Sequence, residues 1–205
     1  MTTTNEIELD WIDTALESIE LAFHSAEGMA YLGEDVTMIQ HQLQAAALAV
    51  DSGGIDEFVV AALLHDIGHM ITGDELTTAS EELDANRDAH HDAAGARWLS
   101  RWFGPEVVEP VRLHVAAKRF LVATEPGYAA RLSDASTHTL RLQGGPMSVV
   151  EVAAFEALDF AHDAVALRRL DEAAKDASTD APELGAHQEI LVRVLHREAT
   201  RRSVA

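Results

Sequence analysis

Residues 56–69 read DEFVVAALLHDIGH, and this stretch decides the fold. Its consecutive apolar residues, 58–64, leave no polar face, so they predict a helix buried at the centre of a helical bundle. The helix ends in the pair His65-Asp66. A buried carboxylate beside a buried imidazole costs free energy unless a cation compensates it. The pair therefore indicates a metal site, although an aspartate cap beside a surface histidine is the alternative.

The remaining sequence also predicts an all-α fold, because alanine and leucine dominate it and apolar residues recur at steps of three and four. Asp10 is the expected N-cap of the first helix, and residues 73–87 are polar enough to form an exposed loop. Glycine and proline at 144–146 separate the later helices. The predicted helices span residues 11–24, 35–51, 56–65, 88–103, 105–120, 149–158 and 160–175, followed by a surface helix with a basic tail after 182.

We expect one domain over residues 1–205, with a metal-binding core at about 31–175 and a peripheral C-terminal segment at about 182–205. The chain carries 35 acidic and 15 basic side chains, a net charge of -20. Such a surface repels phosphate backbones and anionic lipids, so we expect no nucleic acid and no membrane as partner. No apolar run reaches the ~20 residues of a membrane span, and the acidic N-terminus lacks the basic start of a signal peptide. We therefore expect a cytoplasmic protein, either a monomer or a small homo-oligomer.

Histidines are abundant, and their neighbours separate candidate ligands from solvated side chains. The chain has 11 histidines and no cysteine, which excludes thiolate ligands. His91 lines up with an apolar stripe through Gly95 and Trp98, whereas His90 lines up with two arginines. His91 is therefore the better ligand candidate, and His90 is the alternative.

Two further segments place charged groups beside apolar positions. His114 and Lys118 lie one helical turn apart, on the face that Val111 marks as apolar. They are predicted to point inward together, with Lys118 reaching solvent from a buried stem as the alternative. Arg168 and Asp171 are either a surface ion pair or a metal ligand beside a guanidinium that binds a phosphate-like oxyanion.

Six side chains form the candidate ligand set, and all of them offer nitrogen or oxygen. Such a set suits two hard or borderline metal ions bridged by a carboxylate, and iron, manganese and zinc are all chemically admissible. The six are His41, His65, Asp66, His91, His114 and Asp171.

The order H…HD…D resembles the signature of the HD-domain superfamily, whose fold is a helical bundle. The full ligand set is similar to that of its diiron subgroup, in particular the mixed-valent diiron oxygenases of phosphonate breakdown (the PhnZ and TmpB type). The resemblance covers residues 31–175. The stretches that carry it, besides the ligands, are YLGEDVT at 31–37, ALLHDIGH at 62–69, GARWL at 95–99, RLS at 131–133, LQGGPMS at 142–148 and RRLD at 168–171.

The resemblance implies a role for each matching residue. Asp66 would bridge two iron ions, one of them bound by His41, His65 and Asp171 and the other by His91 and His114. Tyr31 would occupy the oxygen site as a removable ligand, with Glu34 pairing to it or to the amino end of the substrate. A phosphonate would be held by His69, Lys118, Ser136 and Arg168.

The resemblance also implies a reaction, the O2-dependent oxidative cleavage of a C–P bond by a dioxygenase of phosphonate catabolism. The substrate would be 1-hydroxy-2-(trimethylammonio)ethylphosphonate, which the acidic, Glu34-bearing chain weakly favours, or 2-amino-1-hydroxyethylphosphonate. The products would be phosphate and glycine betaine or glycine. A zwitterion of this kind suits a site with cations at one end and Glu34 at the other.

Three other functions stay open on the sequence. A metal-dependent phosphohydrolase acting on a nucleotide or phosphomonoester needs only His41, His65, Asp66 and Asp171. A helical module with a structural metal has no use for two cationic side chains at the same cavity. An inositol-type ring-cleaving diiron oxygenase shares the ligand set but does not require those cations. Metal content and O2 dependence separate the oxygenase from the hydrolase.

Overall fold

The computed structural model describes residues 4–31, 33–71 and 90–204. This part of the chain confirms the predicted all-α fold, and none of its helices is long and apolar enough to cross a membrane. The predicted loop at 73–87 and the predicted start of a helix at 88 lie outside the described residues. The helices are α1 (Thr4–Ser25), α2 (Met38–Asp51), α3 (Asp56–Leu64), α4 (His91–Leu99), α5 (Pro105–Thr124), α6 (Asp134–Leu142), α7 (Val149–Glu156), α8 (Ala161–Ala173) and α9 (Gln188–Val204).

Helix α3 lies at the centre of the bundle, as its apolar sequence predicts. Residues 59–64 are at most 2% exposed, and α2, α5, α8 and α9 all pack against this helix. Burial of each of its two leucines, Leu63 and Leu64, stabilises the fold by about 2 kcal/mol. The end of α3 therefore places His65 and Asp66 in the middle of the molecule.

Helix α2 begins with a reciprocal cap that fixes the position of His41. The hydroxyl oxygen of Thr37 accepts a hydrogen bond from the backbone N–H of Gln40 at 3.2 Å, and Oε1 of Gln40 accepts one from the backbone N–H of Thr37 at 2.9 Å. Such a capping box stabilises a helix start by about 1 kcal/mol. His41 consequently lies at the end of the first turn of α2, on its buried face.

Two glycines allow the segment after α3 to pack tightly against α4. The chain forms a 3₁₀ turn, Ile67–His69, instead of continuing the helix. A Cβ atom at Gly68 would lie 2.0 Å from the carbonyl oxygen of His91, and one at Gly95 would lie 3.2 Å from the backbone nitrogen of Gly68. Only glycine permits this approach at position 68, so the turn and α4 meet backbone to backbone. The contact brings His69 and His91 side by side.

The C-terminal helix contributes to the core. Helix α9 packs against α1 and α3, and its inner residues Leu191, Val194 and Leu195 are at most 3% exposed. Its arginines bind other parts of the protein, and Arg197 donates to Asp56 at the start of α3 at 3.0 Å. The segment 182–205 is thus more than the peripheral surface helix expected from its sequence, because one of its faces completes the bundle.

Some helix boundaries differ from the prediction. Asp10 lies inside α1 rather than at its N-cap, because the preceding glutamates and leucine are good helix formers that nothing interrupts. Helix α5 continues to Thr124, since residues 121–124 contain no helix breaker and Leu121 is buried. Helix α4 ends at Leu99, and the chain then turns so that Phe103 reaches the core.

Candidate metal centre

Two groups of buried side chains lie next to each other in the core, and each could hold a metal ion. In each group the three ligand atoms lie within 4.8 Å of one another. The first cluster consists of His41, His65 and Asp171, and the second cluster of Asp66, His91 and His114. All six side chains are at most 8% exposed. The structure therefore brings together, from α2, α4, α5, α8 and the end of α3, the six residues selected from the sequence.

Asp66 belongs to the second cluster and also adjoins the first, because its two oxygens face different histidines. Oδ1 is 3.3 Å from Nε2 of His91 and 3.5 Å from Nε2 of His114. Oδ2 is 3.6 Å from Nε2 of His41 and 3.5 Å from Nε2 of His65. A carboxylate in this position can bridge two cations, one at each cluster.

In the first cluster the Nε2 lone pairs of His41 and His65 point toward the same place. Nδ1 of His41 donates to the carbonyl oxygen of Ala174 at 2.7 Å, and Nδ1 of His65 donates to that of Ala62 at 2.8 Å. A neutral ring that donates from Nδ1 has only a lone pair at Nε2, and burial lowers the pKa of His65 to about 4. The two Nε2 atoms are 3.0 Å apart. The buried Oδ1 of Asp171 lies 3.4 Å from Nε2 of His41 and has no hydrogen-bond partner among the described residues.

Electron pairs at these distances repel one another unless a cation lies between them. Backbone carbonyls that bind the far nitrogen of each imidazole are the usual support for a metal-ligating histidine, because they fix the ring and its tautomer. The donor set and its orientation therefore fit a bound metal ion.

In the second cluster a backbone carbonyl likewise binds the far nitrogen of a histidine, and Asp66 supplies a negative charge. Nδ1 of His114 donates to the carbonyl oxygen of Val111 at 2.6 Å, while its Nε2 lies 3.0 Å from Nε2 of His91. Burial alone would raise the pKa of the Asp66 carboxyl, but the facing histidines, His65 foremost, hold it well below its usual range. Asp66 is thus ionised, which favours binding of cations on both of its sides.

His91, not His90, lies in the second cluster, in agreement with the periodicity of α4. His91 is buried at the start of α4, whereas His90 is exposed. The ring of His69 stacks on that of His91, with ring centroids 4.1 Å apart, and lines the same cavity. Burial lowers the pKa of His69 to about 3, so this imidazole is neutral beside the cluster.

Tyr31 covers the first cluster. Its ring stacks on His41 with centroids 4.1 Å apart, and its hydroxyl donates to Oδ2 of Asp66 at 3.0 Å. Burial, followed by the negative charge of Asp66, raises the pKa of Tyr31 well above 10, so the phenol is protonated and acts as a donor. Tyr31 therefore occupies the space directly beside the bridging carboxylate.

Lys118 and Arg168 both lie inside the protein, so neither the solvent-reaching lysine nor the surface ion pair considered above is present. Nζ of Lys118 donates to Oγ1 of Thr139 at 2.7 Å. Arg168 donates to Asp171, and its Nη2 also lies 3.3 Å from Oγ of Ser136. Burial alone would raise the pKa of the Asp171 carboxyl, but Arg168 holds it well below its usual range. The cations therefore converge next to the first cluster.

Sequence reasoning missed Lys175, which lies at the same cavity. Its Nζ donates to Oγ of Ser136 at 2.9 Å and lies 3.3 Å from Oε1 of Glu34. Glu34 also accepts a hydrogen bond from Ser133. Lys175 follows Asp171 by four residues and Arg168 by seven, and this helical spacing was the signal that could have identified it.

These side chains enclose a cavity of about 50 Å³, which offers room for a few water molecules or ions. It joins the metal ligands at one wall to the cations at the other. Its lining includes Tyr31, Glu34, Asp66, His69, His91, His114, Lys118, Ser136, Arg168, Asp171 and Lys175. The arrangement can hold an anion within reach of two cation sites.

The chain is similar in sequence to known proteins of one family. The HD-domain model matches residues 38–157. The chain is 48% identical over 153 residues (75% of this chain and 76% of the relative) to [1-hydroxy-2-(trimethylamino)ethyl]phosphonate dioxygenase (glycine-betaine-forming) from Leisingera caerulea. It is 43% identical over 157 residues (77% of each) to hydroxymethylphosphonate dioxygenase from Gimesia maris. The chain therefore belongs to the HD-domain family and, within it, to the phosphonate dioxygenases.

Proposed function

We propose that this protein uses O2 to cleave the C–P bond of a 1-hydroxyphosphonate that carries a cationic amine at C2. With 1-hydroxy-2-(trimethylammonio)ethylphosphonate the products are glycine betaine, phosphate and a proton, and with the primary amine they are glycine, phosphate and a proton. C1 is oxidised from an alcohol to a carboxylate, and O2 is reduced as one oxygen enters each product. The observation that carries the proposal is the pair of cationic side chains, Lys118 and Arg168, in the cavity that borders two adjacent metal-binding clusters.

The first and second clusters would hold two iron ions, bridged by Asp66. Iron bound there would supply the redox chemistry that O2 requires, and the nitrogen and oxygen donors of the two clusters are ligands that iron accepts. The contribution of the protein is to hold the ligands in fixed tautomers and to keep bulk water out. The tautomers are fixed by the backbone carbonyls bound to Nδ1 of His41, His65 and His114, and water is kept out by the burial of the six side chains.

The phosphonate would lie against Lys118, Arg168, Ser136 and His69. Ser136 accepts hydrogen bonds from both Arg168 and Lys175, so its own hydroxyl hydrogen is free to point at an oxyanion. Charge-assisted hydrogen bonds are the strong ones, and a buried site strengthens them further. In a chain of net charge -20, this cavity is a place where a dianion finds positive charge.

Tyr31 would act as a removable cover. A phosphonate that approaches the metal ligands through this cavity would meet the ring of Tyr31, which lines the cavity and rests on His41. Entry of the substrate would therefore move Tyr31 away from Asp66. Glu34, which also lines the cavity, would then receive the cationic amine.

The deciding experiment loads the purified protein with iron under argon and adds 1-hydroxy-2-(trimethylammonio)ethylphosphonate. We expect no phosphate until O2 is admitted, and then one phosphate per O2 consumed. Phosphate release under argon, with manganese or zinc in place of iron, would instead establish the phosphohydrolase and refute the proposal. The same reaction with 2-amino-1-hydroxyethylphosphonate identifies the preferred amine. The cytoplasmic location and the monomeric or small oligomeric state remain predictions.

A further inference from the structure

We propose that Lys175 is a resident ammonium group that occupies the place of the substrate's cationic amine at Glu34, and that it thereby sets the preference between phosphonates that carry a cationic amine and phosphonates that do not. The proposal rests on the proposed function, because it names which phosphonates the same cavity distinguishes. It concerns a residue that follows α8 and that lies outside both metal clusters.

The surroundings of Lys175 are those that an ammonium ligand requires. Its Nζ lies 3.3 Å from Oε1 of Glu34 and 5.7 Å from the centre of the Tyr31 ring. A carboxylate and an aromatic face together form the usual binding site for alkylammonium groups, including quaternary ones. Both side chains of the ion pair are about nine-tenths buried, 9% exposed for Lys175 and 10% for Glu34. The interaction is therefore only weakly screened by solvent.

Lys175 also connects the two ends of the cavity. Besides Glu34, it donates to Oγ of Ser136 at 2.9 Å, and Ser136 is bound in turn by Arg168. The ammonium of Lys175 thus lies between the acidic end, where a substrate amine would bind, and the cationic end, where a phosphonate would bind. A small shift of its flexible stem that keeps the hydrogen bond to Ser136 would release Glu34 without taking the ammonium out of the cavity.

Phosphonates with and without a cationic amine would interact differently with the ion pair of Lys175 and Glu34. A phosphonate without an amine, such as hydroxymethylphosphonate, leaves the pair of Lys175 and Glu34 intact and gains a nearby positive charge. A phosphonate with a cationic amine must separate that pair before its own amine can reach Glu34. Lys175 therefore favours the phosphonate without an amine relative to the one with a cationic amine, while Glu34 favours the phosphonate with the cationic amine.

The test compares hydroxymethylphosphonate with 1-hydroxy-2-(trimethylammonio)ethylphosphonate on the iron-loaded protein. We expect Lys175→Met to raise KM for hydroxymethylphosphonate about tenfold, the loss of one charge-assisted contact. KM for the amine-bearing phosphonate should change by less than about threefold, because the lost cation near the phosphonate group is offset by a free Glu34. The ratio of the two kcat/KM values should shift by roughly tenfold toward the amine-bearing phosphonate.

Two variants serve as controls. Lys118→Met removes another cation from the same cavity. Because Lys118 is bound to Thr139 and not to Glu34, this substitution should weaken the binding of both phosphonates by a similar factor. Adding Glu34→Gln to Lys175→Met should abolish the new preference, since the gain depends on that carboxylate. If Lys175→Met does not fold, Lys175→Gln carries the same expectation, and Lys175→Arg should retain the preference of the parent protein. A parallel rise of both KM values in Lys175→Met would overturn the proposal.

Anaerobic titration separates this proposal from the proposed function. Without O2 the dissociation constants of both phosphonates can be measured directly, and their ratio should shift in Lys175→Met as the KM ratio does. Turnover that fails in the parent protein while this binding ratio shifts would refute the oxidation and support the role of Lys175. An unchanged binding ratio, or no binding of either phosphonate, would refute that role.

Discussion

The hydroxyl of Tyr31 donates a 3.0 Å hydrogen bond to Oδ2 of Asp66, the oxygen that faces the histidines of the first cluster. The same ring is stacked on His41. The side chain of Tyr31 thus contacts His41 of the first cluster and Asp66 of the second cluster. Any movement of Tyr31 changes the surroundings of both cation sites at once.

Replacement of this hydroxyl should change the resting site without stopping the reaction. We expect Tyr31→Phe to retain turnover within about tenfold, because the hydroxyl contributes one hydrogen bond of about 1 kcal/mol to a state that the substrate displaces. The optical or electron paramagnetic resonance spectrum of the iron-loaded resting protein should change. Tyr128→Phe is the matched control, since that hydroxyl binds Arg168 and not the clusters. Identical resting spectra for Tyr31→Phe and the parent would contradict the position assigned to Tyr31.

Each cluster should hold its own metal ion. Loss of one histidine removes one of three ligands from a single cluster, so His114→Ala should bind about one iron per chain and the parent about two. His65→Ala should lose the other ion. His162→Ala is the control, because the side chain of His162 is 95% exposed, and it should keep both ions. Elemental analysis after iron loading measures the count, and one ion in the parent would refute the two-ion arrangement.

The candidate metal ligands could be predicted from the sequence, because their burial follows from local helical periodicity. The residues that contact the cationic side chains of the cavity could not be predicted in this way. The position of His91 on the apolar stripe of α4 and the burial of His65 after α3 follow from helical spacing. The contact of Lys175 with Glu34 joins residues that are far apart in the chain, and no local pattern encodes it. The segment of α9 was predicted as a peripheral surface helix, and the burial of one of its faces depends on tertiary packing against α1 and α3.

Gly68 should be essential for the packing that positions His91. A Cβ atom at this residue would lie 2.0 Å from the carbonyl oxygen of His91, and backbone atoms cannot move aside as a side chain can. Gly68→Ala should therefore lower the free energy of unfolding by about 2 kcal/mol or more and weaken metal binding at the second cluster. Gly185→Ala, where a Cβ would meet no atom within 4 Å, should leave both unchanged. Urea denaturation and iron content measure the two effects, and a stable Gly68→Ala with two ions would contradict this account.

Asp56 should make the attachment of α9 sensitive to acid. Hydrogen bonds from Arg193 first, and from Arg197, outweigh the opposing effect of burial and lower the pKa of Asp56 from 3.8 to about 2. A lowered pKa means that the stabilisation is present above the unfolded value and is lost as the pH falls toward 2. Because the group is partly solvated, we expect Asp56→Asn to lower the free energy of unfolding by about 1 kcal/mol at neutral pH.

That difference between Asp56→Asn and the parent should narrow as the pH is lowered from about 4 to about 2, where the native carboxyl becomes protonated. Asp159→Asn, an exposed aspartate, should show no such trend. Urea titrations across this pH range give both values. A constant difference at every pH would show that the ion pairs of Asp56 do not contribute to stability.

Lys118 should make substrate capture depend on pH near neutrality. Burial, followed by the positive charge of Arg168, lowers the pKa of Lys118 to about 7, while Asp171 and Asp66 act in the opposite direction and Lys175 in the same one. Metal cations bound nearby would lower it further. Only the protonated amine attracts a phosphonate dianion, so kcat/KM should fall as the pH rises above about 7, approaching tenfold per pH unit. Since bound phosphonate stabilises the charged amine, kcat should vary less than kcat/KM over the same range.

Lys118→Arg isolates this effect, because a guanidinium stays charged throughout the range. The ionisation of the phosphonate itself contributes equally to both proteins and cancels when their profiles are divided. The ratio of kcat/KM for Lys118→Arg to that of the parent should therefore rise with pH and follow the deprotonation of Lys118. A flat ratio would show that Lys118 does not titrate in the free protein at these pH values, and the alkaline fall would then belong to the substrate.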